Sequence, residues 1–162
     1  MQFLRLYFRK LHLGNEACAL FLLCLTTGIP SAQTFATIHN FDNADGANPG
    51  SLIQATDGKL YGSAYFGSDT SSCNTFCGTL FKITRSGTLT LLYTFCTLDG
   101  CADGDVPGPL MQATDGNFYG STQSGGTNLY DGTVFKITPS GTLTTLHNFS
   151  GADGSVPEGV MV

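Results

Sequence analysis

Hydrophobic and polar residues alternate along two neighbouring stretches of the chain, 79–84 and 88–95. The alternating apolar positions are Phe81 and Ile83, then Leu89, Leu91, Tyr93 and Phe95. A period of two residues predicts half-buried β-strands. Between the two stretches lies Arg85-Ser86-Gly87, in which glycine tolerates the positive φ that ends a tight turn. The pattern therefore predicts a β-hairpin.

The stretch just upstream has the same character. Segments 52–55 and 59–65 flank Thr56-Asp57-Gly58. The aspartate of such a turn bonds its own backbone, and the glycine supplies positive φ. This pattern predicts a second hairpin, so that residues 52–95 hold four strands and no helix.

These blocks then recur farther along the chain. GTLFKITRSGTLT (78–90) and GTVFKITPSGTLT (132–144) match at 11 of 13 positions with an offset of 54, and LIQATDGKLYGS (52–63) and LMQATDGNFYGS (110–121) match at 9 of 12. Ala-Asp-Gly-x-x-Pro occurs three times, ending at Pro49, Pro107 and Pro157. Such self-similarity is typical of repeat architectures, in which each copy buries its apolar face against the next.

Four short antiparallel strands in each unit of about 54 residues predict an all-β fold made of tandem propeller blades. We assign one blade to residues 50–95, a second to 108–149, the last strand of a preceding blade to 34–41, and the truncated start of a third repeat to 150–162. A closed propeller needs at least about four blades, so the expectation is an incomplete β-propeller. Its open blade edges offer a route to self-association.

The first 33 residues lie outside the repeat. Arg5, Arg9 and Lys10 precede an apolar run over 17–29 and a small-residue site near Ala32, a pattern typical of a secretory signal peptide. The run is too short to span a bilayer. Residues 34–162 carry 4 basic against 11 acidic residues, a formal charge of −7. That balance disfavours nucleic acid and anionic membranes as partners, and no membrane-spanning segment is expected beyond the leader.

Four cysteines remain after the leader, and each pair sits in an enlarged loop. Segment 62–78 is four residues longer than 120–132 and contains Cys73 and Cys77, whereas 95–104 is four residues longer than 41–46 and brings in Cys101 beside Cys96. In an exported chain this favours two local disulfides, 73–77 and 96–101. Four cysteines allow three pairings, and the other two stay open. A zinc site fits poorly, because the spacings are C-x3-C and C-x4-C with no histidine nearby.

The combined motif resembles the bacterial GloVer tandem repeat, which defines exported proteins with a choice of anchors. Its elements here are Asp-Gly-x-x-Tyr-Gly-Ser, Gly-Thr-x-Phe-Lys-Ile-Thr-x-Ser-Gly, Leu-x-x-Phe and Ala-Asp-Gly-x-x-Pro, and together they cover about residues 35–162. The resemblance implies export to the bacterial surface or the extracellular space. It implies no catalytic residue.

Several repeat positions carry candidate site residues. His39 and His147 share a slot with Tyr93 of the middle copy, which argues against a general base there. The aspartates of the Ala-Asp-Gly loops could ligate calcium, yet turn chemistry explains them better. The repeated Tyr61 and Tyr119 are expected to pack between blades. Tyr65, Phe66 and Tyr130 lie near the variable loop instead, and this position predicts that they form an exposed binding surface.

The sequence thus predicts an exported binding or structural module with no catalytic site, no cofactor and no metal, and with a glycan or a protein as ligand. Two alternatives stay open. One is a fragment of a secreted carbohydrate-active enzyme, a hydrolase or lyase whose site would lie in loops of other blades. The other is a truncated gene remnant.

Overall fold

The structure, a computed structural model, describes residues 33–42, 44–67 and 77–159. The backbone of these residues consists of strands, turns and loops, apart from one short 3-10 turn at Asp99–Cys101. Two antiparallel sheets lie in the compact unit that begins at Thr37. The all-β expectation is therefore confirmed. No helix within the described ranges has the length and apolar character to cross a membrane.

The first sheet has four strands in sequential order. They are β1 (Ala47–Gln54), β2 (Leu60–Phe66), β3 (Thr79–Ile83) and β4 (Leu89–Thr94). Both predicted turns connect them: Gly58 and Gly87 adopt φ of 79° and 90°, and the Asp57 carboxylate accepts a hydrogen bond of 3.1 Å from the Lys59 amide. The first strand begins at Ala47, earlier than predicted, because Pro49 of the Ala-Asp-Gly-x-x-Pro motif pairs with Ala64.

The second sheet repeats this order with its first strand broken in two. Its strands are β5 (Asp105–Pro107), β6 (Met111–Gln112), β7 (Phe118–Ser124), β8 (Thr133–Ile137) and β9 (Leu143–Asn148). Both β5 and β6 pair with β7, and the β7–β8–β9 registers reproduce those of β2–β3–β4. The predicted four-strand pattern therefore recurs in the second repeat.

A core of apolar side chains joins the two sheets. Tyr61 of β2 stacks on Phe118 of β7 with ring centroids 4.1 Å apart, and Phe95 meets Phe135 at 5.2 Å. The cluster of buried residues is Ala55, Tyr61, Leu80, Phe95, Leu110, Phe118, Phe135 and Ile137. The alternation along each strand sends these side chains toward the facing sheet, so each repeat completes its neighbour's core.

The segment before β1, where a strand is predicted over Phe35–Phe41, carries no strand assignment. No sheet pairing among the described residues includes it. From Thr37 onward the segment still packs as β4 does. Phe41 meets Phe81 at 4.9 Å, as Phe95 meets Phe135.

Matched repeat positions differ in exposure according to whether a sheet covers them. Leu52 and Leu110 occupy the same repeat position, and each places a methyl group over the equivalent glycine, Gly62 or Gly120. Leu52 is 49% exposed, whereas Leu110, which the first sheet covers, is 2% exposed. Both sites carry leucine in the same motif, and Leu110 belongs to the core shared by the two sheets, so packing between repeats accounts for the difference.

Several predictions fall outside the described ranges. They are the signal peptide over residues 1–33, of which only Gln33 is described, Cys73 with its pairing to Cys77, and the end of the 150–162 stub from residue 160.

Candidate functional site

The connections between strands divide the unit into two ends. At the turn end lie the four tight turns, 55–59, 84–88, 113–117 and 138–142. At the loop end lie the connections that follow β4, β7 and β9, the described residues 67, 77 and 78 between β2 and β3, and residues 42 and 44–46 before β1. Insertions are confined to the loop end, so variable chemistry is expected there on a rigid scaffold.

A cysteine pair closes the enlarged loop after β4. The sulfur atoms of Cys96 and Cys101 lie within bonding distance and their Cα atoms are 4.0 Å apart, in agreement with the predicted 96–101 pairing. Cys77, 4% exposed, packs against Cys96 in the same small buried cluster. The loop surrounds a mainly polar depression of about 320 Å³.

A buried aspartate organises this loop. Asp103 is 1% exposed, and its carboxylate accepts hydrogen bonds from Tyr93 Oη (2.8 Å), Thr97 Oγ1 (3.0 Å), the Thr97 amide (3.2 Å) and the Leu98 amide (3.4 Å). A buried carboxylate needs such donors to offset its lost hydration. Burial, together with the bond to Asp103, raises the pKa of the Tyr93 phenol despite the opposing contact with Thr97.

This arrangement recurs in all three Ala-Asp-Gly loops. The aspartate accepts a hydrogen bond from the ring six or ten residues earlier: His39 Nε2 to Asp45 at 2.6 Å, Tyr93 Oη to Asp103 at 2.8 Å, and His147 Nε2 to Asp153 at 2.8 Å. Each of these rings also meets the phenylalanine two residues on, edge to face. Tyrosine and histidine are interchangeable at this slot because both present a polar hydrogen to the carboxylate.

The third copy also resembles a catalytic triad in composition, since Ser150 lies beside His147 and Asp153. In a Ser-His-Asp triad the imidazole stands between the hydroxyl and the carboxylate, where it can take the serine proton. Here Ser150 Oγ donates directly to Asp153 at 3.0 Å, and the carboxylate stands between the other two groups. The Asp153 carboxylate therefore holds the loop in place by accepting bonds from both side chains, an arrangement that we call a brace. The bonds from Ser150 lower the pKa of Asp153.

The tight turns show a second repeated brace. Tyr61 Oη donates to Asp57 at 3.1 Å, and Tyr119 Oη donates to Asp115 at 2.9 Å. Burial of the ring, followed by the bond to Asp57, raises the pKa of Tyr61 to about 12. The contact with Lys59 lowers the pKa of Asp57. Tyr61 packs between the sheets as expected, and its hydroxyl bonds the turn. The matched Tyr119 is only half-buried and lies outside the buried cluster.

The predicted surface residues occupy different settings at the loop end. Tyr65 and Phe66 end β2 and are half-buried, with the Tyr65 ring lying over Gly50 of its own sheet. Tyr130, in the loop after β7, is 80% exposed. Tyr130 therefore lies in a loop of the second repeat, whereas Tyr65 and Phe66 lie in a strand of the first sheet.

Sequence reasoning missed the apolar residues that accompany Tyr130. We define the apolar patch as the four exposed residues Leu98, Leu129, Tyr130 and Val156, which are 56%, 52%, 80% and 45% exposed. They come from three different loops, so spacing along the chain could not group them. One feature of the sequence could have indicated the patch: the apolar Leu98 lies inside an insertion that only the middle copy carries.

Backbone hydrogen bonds hold these three loops together. Gly126 N donates to Cys101 O at 2.9 Å, Gly125 N to Leu129 O at 2.9 Å, and Val156 N to Asp131 O at 2.9 Å. The side chains of the patch therefore stand on a braced platform. Within the described part of the chain no cluster of histidine, cysteine and acidic residues has the make-up of a metal site.

Comparison with known families identifies the class of protein. A profile of the Gloeobacter/Verrucomicrobia repeat matches residues 24–162. The chain belongs to this repeat family, as its motifs predicted. A search of curated proteins returned no match to the chain.

Proposed function

We propose that this chain is an exported, non-enzymatic repeat protein that serves as a binding module, and that its two sheets are neighbouring blades of a propeller-type array. Membership of the repeat family and the shared core between the two repeats support this proposal. The binding surface is the loop end, where the apolar patch stands.

The blade arrangement is supported most strongly by contacts that recur with the period of the repeat. A methyl group added to Gly141 would meet the backbone oxygen of Leu92, and one added to Gly87 would meet that of Ile38. The ring pairs Phe95–Phe135 and Phe41–Phe81 follow the same offset. Residues 37–41 therefore stand beside the first sheet as β4 stands beside the second. This recurrence supports the proposal that the segment occupies the position of an outer blade strand.

The binding role rests on one observation, the exposure of Tyr130, Leu129 and Leu98 on braced loops. Leaving large apolar side chains in water has no benefit for folding, and exposed apolar side chains grouped on neighbouring loops are a feature of interaction sites. Tyrosine adds much contact area at a low entropic cost, which suits it to interfaces.

The binding role is tested by substitution at the patch. We expect Tyr130→Ala to leave the thermal midpoint within about 2 °C, since an exposed side chain contributes little to stability. The same variant should abolish retention of whichever glycan or protein the chain captures on immobilised arrays. Leu91→Ala, at a 39% exposed position on β4, is the matched control and should retain binding. Equal retention by both variants would exclude the patch as the site.

Export is tested separately. Residues 1–33 fused to a reporter that is active only outside the cytoplasm should yield activity in a bacterial host, and replacing Leu22 and Leu23 with aspartate should remove it, because the apolar run is the part that export machinery reads. The Cys96–Cys101 pair is compatible with an oxidising compartment. Activity that is indifferent to this change would contradict export.

A further inference from the structure

Within the described ranges, basic side chains are confined to one end of the unit, whereas most acidic side chains lie at the other and only Asp57 and Asp115 lie in the turns. Of the residues that the structure describes, all four basic ones belong to the turn end, where Lys59 and Arg85 lie in turns and Lys82 and Lys136 lie one residue before the strand ends. Lys82 Nζ donates to the Pro139 carbonyl of a neighbouring turn. The loop end carries seven aspartates: Asp42, Asp45, Asp99, Asp103, Asp105, Asp131 and Asp153.

Two of these aspartates, Asp99 and Asp131, adjoin the apolar patch. Asp99 follows Leu98 and Asp131 follows Tyr130 in the chain, and a methyl group added to Gly100 would lie 4.0 Å from Leu129. Asp131 receives a bond of 2.9 Å from the side chain of Asn128. None of the lysines or arginines in the described ranges lies at this end to neutralise these carboxylates. The patch is therefore an apolar surface inside a negative field.

From this segregation we infer that the apolar patch binds a cationic polypeptide segment, one that presents lysine or arginine beside apolar side chains. The inference rests on the proposed binding role and specifies its ligand. The apolar side chains of such a segment cover Leu98, Leu129 and Val156. Its cations approach Asp99 and Asp131, and the exposed ring of Tyr130 offers a face to a guanidinium or ammonium group.

Other ligand classes fit this surface less well. Polyanions such as nucleic acid, acidic glycans and anionic lipid surfaces are repelled by the aspartates. A neutral glycan could stack on Tyr130 but would gain nothing from the charge around it. A cationic peptide uses both features, and its association should be fast at low salt and should slow as salt screens the field.

The probe for this inference is a synthetic peptide of alternating lysine and leucine, with two controls in which glutamate replaces lysine or serine replaces leucine. Binding to the mature chain is measured by fluorescence anisotropy at low and high salt. We expect the lysine–leucine peptide to bind, the glutamate–leucine peptide not to bind, and the lysine–serine peptide to bind about tenfold more weakly, since apolar anchors carry most of such interfaces.

Two pairs of variants locate the interaction. Tyr130→Ala should weaken binding about tenfold, whereas Leu91→Ala should leave it unchanged. The double variant Asp99→Asn/Asp131→Asn should weaken binding and flatten its salt dependence. The control double variant Asp57→Asn/Asp115→Asn changes the net charge equally at the turn end, keeps an oxygen for each turn, and should have no effect.

Each outcome supports or overturns the inference. Equal losses from the two charge variants would show attraction to the whole acidic chain and would overturn it. A neutral peptide or glycan that binds through Tyr130 without salt dependence would also overturn it, and would keep the proposed binding role. If no probe depended on the patch, both proposals would fail. Salt-sensitive self-association abolished by Arg85→Gln would identify the partner as the basic turn end of a second copy, which again contradicts the inference.

Discussion

Leu110 and Leu52 provide a matched test of how the repeats are stabilised. Both lie in the same motif and contact an equivalent glycine, but only Leu110 enters the core between the sheets. Truncating a buried leucine to alanine removes its transfer free energy and leaves a cavity, which together cost about 3 kcal/mol. Leu52 is 49% exposed, so Leu52→Ala should cost no more than about 1 kcal/mol.

The measurement is the free energy of unfolding of the mature chain from urea denaturation, with both variants and the parent at one protein concentration. The slope of the transition should stay constant, so that the midpoints report stability directly. We expect the loss for Leu110→Ala to exceed that for Leu52→Ala by about 2 kcal/mol. Losses that agree within about 0.5 kcal/mol would refute the reasoning, because they would mean that the two sites are covered alike.

Three further predictions concern the braces and the strained backbone. Asp103→Ala should lower the free energy of unfolding by at least about 2 kcal/mol, because it leaves buried donors without an acceptor. Asp153→Ala, in the exposed copy, should cost clearly less, because water replaces the lost bonds; equal costs in urea denaturation would contradict this. Val106 has φ of 53°, an unfavourable conformation for a β-branched residue. Val106→Asn should therefore raise the thermal midpoint, because asparagine relieves about 1 kcal/mol of strain. An unchanged or lower midpoint would argue against that strain. The pKa of Tyr61 is raised from 10.0 to about 12, so its contribution to stability is fully present below about pH 10 and is lost as the pH rises through about 12. Tyr61→Phe should therefore remove the fall in the urea midpoint over this pH range. A fall that persists in the variant would show that another group causes it.

The sequence predicted the local structure of the repeats well. Strict alternation and turns such as Thr56-Asp57-Gly58 determine strands and hairpins through interactions only a few residues apart. The recurrence of Tyr61 predicted its place between sheets, and the stacking on Phe118 agrees. The strand predicted over Phe35–Phe41 stays a prediction, because a strand needs a paired neighbour and the described residues give this segment no sheet pairing.

The candidate site was predicted only in part. The variable loop predicted an exposed Tyr130. Leu98 and Val156, which complete the apolar patch, come from distant parts of the chain and approach it only through loop packing. The pairing of Asp103 with Tyr93 was missed although its signal was present. In every copy a histidine or tyrosine at one slot accompanies an aspartate in the following loop, and the two positions were interpreted separately.

The central claim is that neighbouring repeats share one core, and the contact between Tyr61 and Phe118 tests it most directly. Their ring centroids lie 4.1 Å apart across the two sheets. In the nuclear Overhauser spectrum of the mature chain, the ring protons of these two residues should show strong mutual cross-peaks. If each ring instead shows cross-peaks only to residues of its own repeat, the sheets do not pack as described and the account fails.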